Sequence, residues 1–484
     1  MLARWSSPIA KPVVPERLLL GPWRPATVAA YAVALALLCA ALTIVGFRLT
    51  NQTNFSTDDF DQGAYVLMAR QMKDSAYPWY TDGTRNPLFP WLAARFLDPQ
   101  SPEFFAAGKK LNVLLGVLGT ALVGAFFARR MGPLAAFNAT ALAALAVLLP
   151  ISTFFGAEAI FYVLFLFVCV IAMRLLNDNP VWLYALLGLV AGLAWLAKPS
   201  ATPFLGLFAM FTALRLLLSR FDNLPWPVAA SHWTWQRLAI GVALCGAIYG
   251  ALIFPRLQFA QREYGKATYS LPGFWFWADD WDTCVTLYRD CRKETLAKLP
   301  PHLQPTPAGY FKRHSFSDAV ERVKSGSLIR LGQFFVPEVN KEGKRYVEKS
   351  GKPRRAVLLH RGFYIGALAA LALAMGTIAV VRGRLSEAGP IALPLLLWLA
   401  TFTVYVLAMG WYLPTGPGHR FIMTLYLPTL WILAQGADQL RKAADFRPAE
   451  LLFLTVQAGL FVVLMWRLVS LVTGVPFEKI SFAF

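Results

Sequence analysis

Long apolar runs separated by short polar connections dominate the chain. Charge-free stretches occur at 26–47, 111–127, 131–150, 159–173, 180–197, 199–214, 238–255, 362–381, 388–410, 421–437 and 451–472, the last interrupted by Arg467. Each approaches the roughly 20 residues that carry a helix across a bilayer. In lipid, every backbone N–H and C=O must be satisfied within the element, so runs of this length are read as helices. The pattern predicts an all-α polytopic membrane protein with about 11 transmembrane helices. Two longer polar stretches, 48–110 and 256–361, interrupt the series. They divide the chain into an N-terminal segment (1–25), a transmembrane module (26–255) that includes the loop 48–110, a loop domain (256–361) and a second transmembrane module (362–484).

Within the first long loop the period changes. From Asp61 onward, Tyr65, Met68, Ala69 and Met72 fall at i, i+3, i+4 and i+7, which predicts an amphipathic helix lying on the membrane surface with that face down. Asp82-Gly83 reads as a turn, and Pro87 suits the start of a second surface helix. In the larger loop, 315–335 reads as another amphipathic helix, with Ser315 and Asp318 at capping-box spacing. Its expected apolar face is Phe316, Ala319, Val320, Val323, Leu331 and Phe334. The basic stretch 341–355 reads either as a solvated hairpin or loop or as a surface for anionic lipid or a phosphorylated acceptor.

Composition narrows the class. Hydrophobic residues make up 57% of the 484 positions and charged residues 15%, against about 25% charged in a soluble domain. A cytosolic enzyme, a disordered chain and a disulfide-stapled secreted domain are excluded on that ground. A net charge of +19 would suit nucleic acid, but here Lys and Arg collect in alternate short connections, as the positive-inside rule requires. That asymmetry places the N-terminus in the cytoplasm, exports both long loops, and leaves no nucleic-acid partner to expect. No internal repeat of the kind common in transporters is visible. Cys39, Cys169 and Cys245 lie in apolar runs, whereas Cys284 and Cys291 lie in the larger exported loop, where an oxidising compartment would let them pair.

Candidate chemistry concentrates in the first loop. Asp58, Asp59 and Asp61 stand at the N-terminal end of the first surface helix. One carboxylate there can cap the helix and complement its dipole. Three in four residues exceed that need, so a general base with a positioning partner is the competing reading. The three could also ligate a divalent cation through oxygen. Nearby Arg and Lys offer charge stabilisation without one, so a metal-independent site with no cofactor is the expectation.

Further cations stand at run boundaries. Arg85 follows the turn, either as a local ion partner or as an anion ligand. Lys198 lies between two runs with no acidic neighbour in sequence, and an ionisable residue at such a position is a functional candidate or snorkels to the interface. Arg420, preceded by His419, opens a run from the exported side. Glu158 begins the fourth run as a dipole partner or an acceptor contact. Trp275 and Asp279 fall in an aromatic and acidic stretch, 274–282, that reads either as an interfacial belt or as a sugar-binding surface.

Asp61-Gln62-Gly63-Ala64-Tyr65 through Ala69 and Met72, followed by Gly83-Thr84-Arg85-Asn86-Pro87-Leu88-Phe89-Pro90, resembles the GT-C glycosyltransferases. The nearest branch is the one containing protein O-mannosyltransferases and lipid A aminoarabinose transferases, with Gln62 here in place of that branch's usual Glu. Gly192–Pro199, and His419-Arg420-Phe421 with Tyr426-Leu427-Pro428, are similar to two later stretches of the family. The resemblance implies a GT-C fold and a polyprenyl-phosphate-linked sugar as donor. It further implies inverting transfer, at the outer membrane face, to a hydroxyl of a glycolipid, glycan or protein. It makes Asp61 the base, with Asp59 and Asp58 as alternates, and Arg85, Lys198 and Arg420 the donor-phosphate ligands. Tyr65, His419, Glu158, Trp275 and Asp279 become candidate substrate contacts. The Ala, Leu and Arg usage suggests a bacterial inner membrane with a periplasmic site and undecaprenyl phosphate. The alternative is a non-enzymatic flippase or transporter of lipid-linked sugars.

Overall fold

The computed structural model describes residues 23–52, 57, 61–74, 79–218, 234–290, 305–335, 361–385, 392–416 and 418–474. Among them there is no strand. Helix α1 (Pro25–Thr50) is followed by two short helices, α2 (Gln62–Asp74) and α3 (Leu88–Phe96). Then come α4 (Phe104–Ala128), α5 (Pro133–Ser152), α6 (Glu158–Asp178), α7 (Val181–Ala197), α8 (Thr202–Leu218) and α9 (Trp235–Tyr264). The larger loop contributes α10 (Leu271–Trp275), α11 (Trp281–Asp290), α12 (Pro307–Arg313) and α13 (Phe316–Phe335). The chain closes with α14 (Arg361–Val381), α15 (Ala392–Trp411), α16 (Tyr426–Ala444) and α17 (Arg447–Val472).

Among the described residues, nine helices are long and apolar enough to cross a membrane, and α7 is a shorter apolar helix. The chain is an integral membrane protein of helical type. Of the predicted runs, 421–437 is split between a 3₁₀ segment, His419–Leu425, and α16, which also carries Asp438, Arg441 and Lys442 and so lies outside the nine.

Local chemistry sets the helix ends. Pro133 stands in the first turn of α5 and Pro25 in that of α1, where a missing N–H costs nothing. Asn179 and Asp445 adopt left-handed backbone angles just after α6 and α16, a conformation that short polar side chains tolerate. Within α5 the backbone widens into a π-turn at Ala144–Leu148, next to Pro150, whose ring cannot fit a regular turn. That helix is almost wholly enclosed by its neighbours. Short connections reverse the chain between α4 and α5 and between α6 and α7, so these helices pack as antiparallel neighbours, and α9 packs along α7.

Two expectations need correction, for α2 and α13, and one is refined, for α9. The Tyr65, Met68, Ala69 and Met72 face of α2 is buried against Phe89, Ala93, Phe104, Phe155 and Ala157. It covers protein, not lipid, because α3 and the 154–157 segment supply an apolar bed. Helix α9 continues past Pro255 to Tyr264, so the start of the predicted loop domain is helical. On α13, the Ser315–Asp318 capping box forms, with Ser315 N donating to Asp318 at 2.8 Å and Asp318 N to Ser315 Oγ at 3.2 Å. Its buried face differs from the predicted one, however. Ala319, Gly326, Ser327, Arg330, Gln333 and Phe334 are buried, while Phe316 and Val320 are exposed. The cause is a close approach to α15: a Cβ at Gly326 would stand 2.0 Å from the Gly410 carbonyl oxygen. Two glycines let the backbones meet, and that contact sets the rotation of α13.

Candidate functional site

The site is assembled from connections at one end of the bundle. After α2, the chain turns at Asp82-Gly83, and Gly83 takes φ +80, which disfavours a side chain there. Asp82 Oδ1 accepts from the backbone N–H of Thr84 at 2.8 Å and of Arg85 at 2.7 Å. Its other oxygen accepts from Arg85 Nη1. Thr81 Oγ1 donates to the Arg85 carbonyl at 2.6 Å. Leu271 N donates to the Gly83 carbonyl at 2.8 Å, and the Tyr264 hydroxyl to the Thr81 carbonyl at 2.9 Å. The turn is thus clamped from within and from the larger loop, and it holds Arg85 in one place.

From there the charges alternate. Arg85 Nη2 meets Asp61 Oδ1 at 2.6 Å. The second Asp61 oxygen, Oδ2, meets Arg420 Nη2 at 2.6 Å. Arg420 Nη1 reaches Glu158 Oε1 at 3.3 Å, and Lys198 Nζ meets the same oxygen at 2.6 Å. The order is Asp82, Arg85, Asp61, Arg420, Glu158, Lys198, with three acids and three bases. Glu158 is 5% exposed, whereas Asp61 keeps 25% of its side chain open, so Asp61 is the acid a ligand can reach.

Each member is fixed by its own element. Gln62 Oε1 accepts from Phe155 N at 2.9 Å, and Asn112 Nδ2 donates to the Phe154 carbonyl at 2.7 Å. These two bonds hold the segment that leads into Glu158. A Cβ at Gly156 would lie 2.7 Å from Glu158 Oε2, so glycine makes room for that carboxylate. Lys198 ends α7 in an extended conformation before the 3₁₀ turn Pro199–Ala201. Arg420 stands on the 3₁₀ segment His419–Leu425, and its carbonyl accepts from the Tyr162 hydroxyl at 2.5 Å. The Phe421 ring lies 5.6 Å from Lys198 Nζ, 5.4 Å from the Arg420 guanidinium and 5.8 Å from that of Arg330, within cation–π range of all three.

Burial raises the Asp61 carboxyl's affinity for a proton, but Arg420, Arg85 and Lys198 outweigh it and hold the group well below the usual carboxylate range. Burial likewise works against the charges of Arg85 and Arg420. Asp61 with Asp82 in the first case, and Asp61 with Glu158 in the second, keep both above the ordinary guanidinium value. Burial, reinforced by Glu158 and Asp61, pushes the Tyr65 hydroxyl well up, so Tyr65 is a neutral phenol beside the acids.

Of the sequence candidates, Asp61, Arg85, Lys198, Arg420 and Glu158 come together, with Tyr65 next to them. Glu158, expected to serve a helix dipole or an acceptor, is the ion partner of Lys198; 40 positions separate the two in sequence. Trp275 and Asp279 do not join the group. Trp275 is buried among Tyr269, Leu271, Ala278 and Cys284, and Asp279 pairs with Arg313 at 3.3 Å and His314 at 2.9 Å. Asp58, Asp59 and Cys291 lie outside the described residues, as do the side chain of His419 and the stretch 341–355. Cys284 is buried, and its thiol is pushed up to about 12, chiefly by burial. Among the described residues no three His, Cys, Asp or Glu side chains gather as metal ligands do.

Two participants were missed. Phe421 carried a signal, since it adjoins Arg420. Tyr412 packs edge-on against Phe421 at 5.6 Å and had none beyond its place near the end of an apolar run. A separate cavity of about 520 Å³, lined by apolar residues of α7, α8 and α9, shares no residue with the ion chain. The chain matches no family model and no curated protein.

Proposed function

We propose that the protein is a membrane glycosyltransferase of GT-C type, moving a sugar from a polyprenyl-phosphate-linked donor to an acceptor hydroxyl with inversion. The observation that carries this reading is a partly open Asp61 carboxylate held between two guanidiniums, Arg85 and Arg420, with Lys198 joined to Arg420 through Glu158. Transfer requires an anion to take the acceptor's proton and cations to receive the departing phosphate, on either side of the anomeric carbon. A carboxylate and three cations at one end of the bundle meet both needs.

The electron flow is simple. The acceptor oxygen bonds to the anomeric carbon as its proton passes to Asp61. The bond from that carbon to the phosphate oxygen breaks, and its electron pair leaves on a polyprenyl monophosphate. The phosphate thereby gains one negative charge, so cations around it bind the transition state better than the ground state. While both Asp61 oxygens are engaged by guanidiniums the group is a poor base. A donor phosphate competes for Arg85 and Arg420, and a carboxylate that keeps its burial but loses its cations becomes more basic. Donor binding therefore arms the base.

This reading puts the site on the periplasmic face of a bacterial inner membrane, with undecaprenyl phosphate as the lipid carrier and an envelope glycolipid, glycan or protein as acceptor. Membranes bearing wild type or Asp61→Asn, supplied with labelled polyprenyl-phosphate sugar, test it. General-base loss is expected to cut transfer by about 10²–10⁴-fold. Unchanged transfer in Asp61→Asn removes Asp61 from the chemistry. Label that crosses the membrane still attached to its lipid would favour a flippase.

A further inference from the structure

The ion chain uses its cations against acids, but Arg361 is placed otherwise. It opens α14 and is 7% exposed. Its Nη1 donates to the Met423 sulfur, and its carbonyl accepts from the Tyr426 hydroxyl at 3.4 Å. Its Nε and Nη2 are buried and have no hydrogen-bond partner among the described residues. Those two nitrogens form one edge of the guanidinium, with parallel N–H bonds, the fork that grips two oxygens of a phosphate. Among the described residues no carboxylate forms an ion pair with Arg361, and the neighbours that act on its charge include Tyr426, Tyr162 and Arg467.

Arg467 is the charge that breaks the last apolar run. It stands on α17, 5% exposed, beside the Tyr364 hydroxyl of α14 and within electrostatic reach of Arg361. A buried guanidinium edge with no acceptor is costly in a membrane protein unless an anion sits with it, and the like charge of Arg467 nearby adds to that cost for Arg361. Tyr162 links the region to the ion chain, since its hydroxyl donates to the Arg420 carbonyl. The region is therefore adjacent to the Asp61 site but built from other helices.

We propose that the free edge of Arg361, backed by Arg467, is a second oxyanion site that takes a phosphate group between α14, α16 and α17. The phosphate comes either from a lipid headgroup entering from the bilayer or from solution. The proposal does not depend on glycosyl transfer, so either can fail alone.

The test uses the full-length protein in phosphatidylcholine nanodiscs, with phosphatidic acid or inorganic phosphate added separately. Backbone hydrogen exchange is followed at 361–368 and 464–472, in wild type and in Arg361→Gln. One of the two probes is expected to slow exchange in both segments of the wild type and to have no such effect in Arg361→Gln. Arg361→Lys keeps the charge without the fork and is expected to bind that probe about tenfold more weakly. A response to phosphatidic acid alone assigns the site to a lipid, and a response to inorganic phosphate assigns it to a free anion. If neither probe protects these segments in wild type, the proposal is overturned. It is also overturned if protection appears only at 61–85 and 419–425, or persists in Arg361→Gln. Should Arg361→Gln fail to fold, the wild-type exchange map still decides.

Discussion

Two ends of the bundle bury acids in different company. At one, Asp61 and Glu158 meet Arg85, Arg420 and Lys198, with partners 24, 359, 262 and 40 positions apart in sequence. At the other, Asp438 is 0% exposed and pairs with Arg441 at 3.1 Å and Lys442 at 2.8 Å, one turn along the same helix. The two lie far apart, since Asp438 is some 18 Å along the α16 axis from Tyr426 at about 1.5 Å per residue. The local set forms whenever α16 forms, and it helps to end that helix by placing cations in its last turn. The distant set exists only once five separate elements have been brought together. A ligand can reopen it at the cost of ion pairs alone, leaving every helix intact. Assembled charge of that kind suits a site, and local charge suits a scaffold.

Substitutions sharpen this contrast. Arg420→Ala removes the residue that joins Asp61 to Glu158 and is expected to lower transfer by about 10²-fold or more, as lost electrostatic stabilisation of a transition state does. A transfer assay on membranes, normalised to folded protein, checks this. Asp438→Asn is expected to act oppositely. It should lower unfolding stability by about 1–3 kcal/mol, through a buried acceptor lost to its partners, while activity per folded molecule stays unchanged. Thermal unfolding in detergent combined with the same assay measures both. The smallest effect belongs to the exposed pair Arg384–Asp445, at 2.8 Å. The double variant Arg384→Gln with Asp445→Asn should change stability by less than about 1 kcal/mol and leave transfer untouched. If Asp438→Asn abolished transfer in a folded protein, the division between site and scaffold would be lost.

The helices were legible because bilayer length and backbone satisfaction leave few other structures for such runs. The Asp82-Gly83 turn and the Ser315–Asp318 box were legible because both are local hydrogen-bond patterns. Asp61 with Arg85 was within reach for the same reason, as one loop carries both. The bond from Arg420 to Asp61 was not, because no spacing encodes a contact across 359 positions. Glu158 was read through its own helix dipole, and its true partner lies at the end of the following helix. The buried face of α13 was misread because apolar counting overlooks a glycine contact with α15 and a buried Arg330, which donates to the carbonyls of Met409, Gly416 and Gly418.

The central claim is that lipid phosphate takes the cations from Asp61. A structure of the full-length protein in nanodiscs with polyprenyl monophosphate measures this directly. The account predicts phosphate density in contact with Arg85, Arg420 and Lys198, with the Asp61 carboxylate freed from at least one guanidinium and facing the open space beside it. Phosphate bound elsewhere, with both Asp61 ion pairs intact, would contradict it.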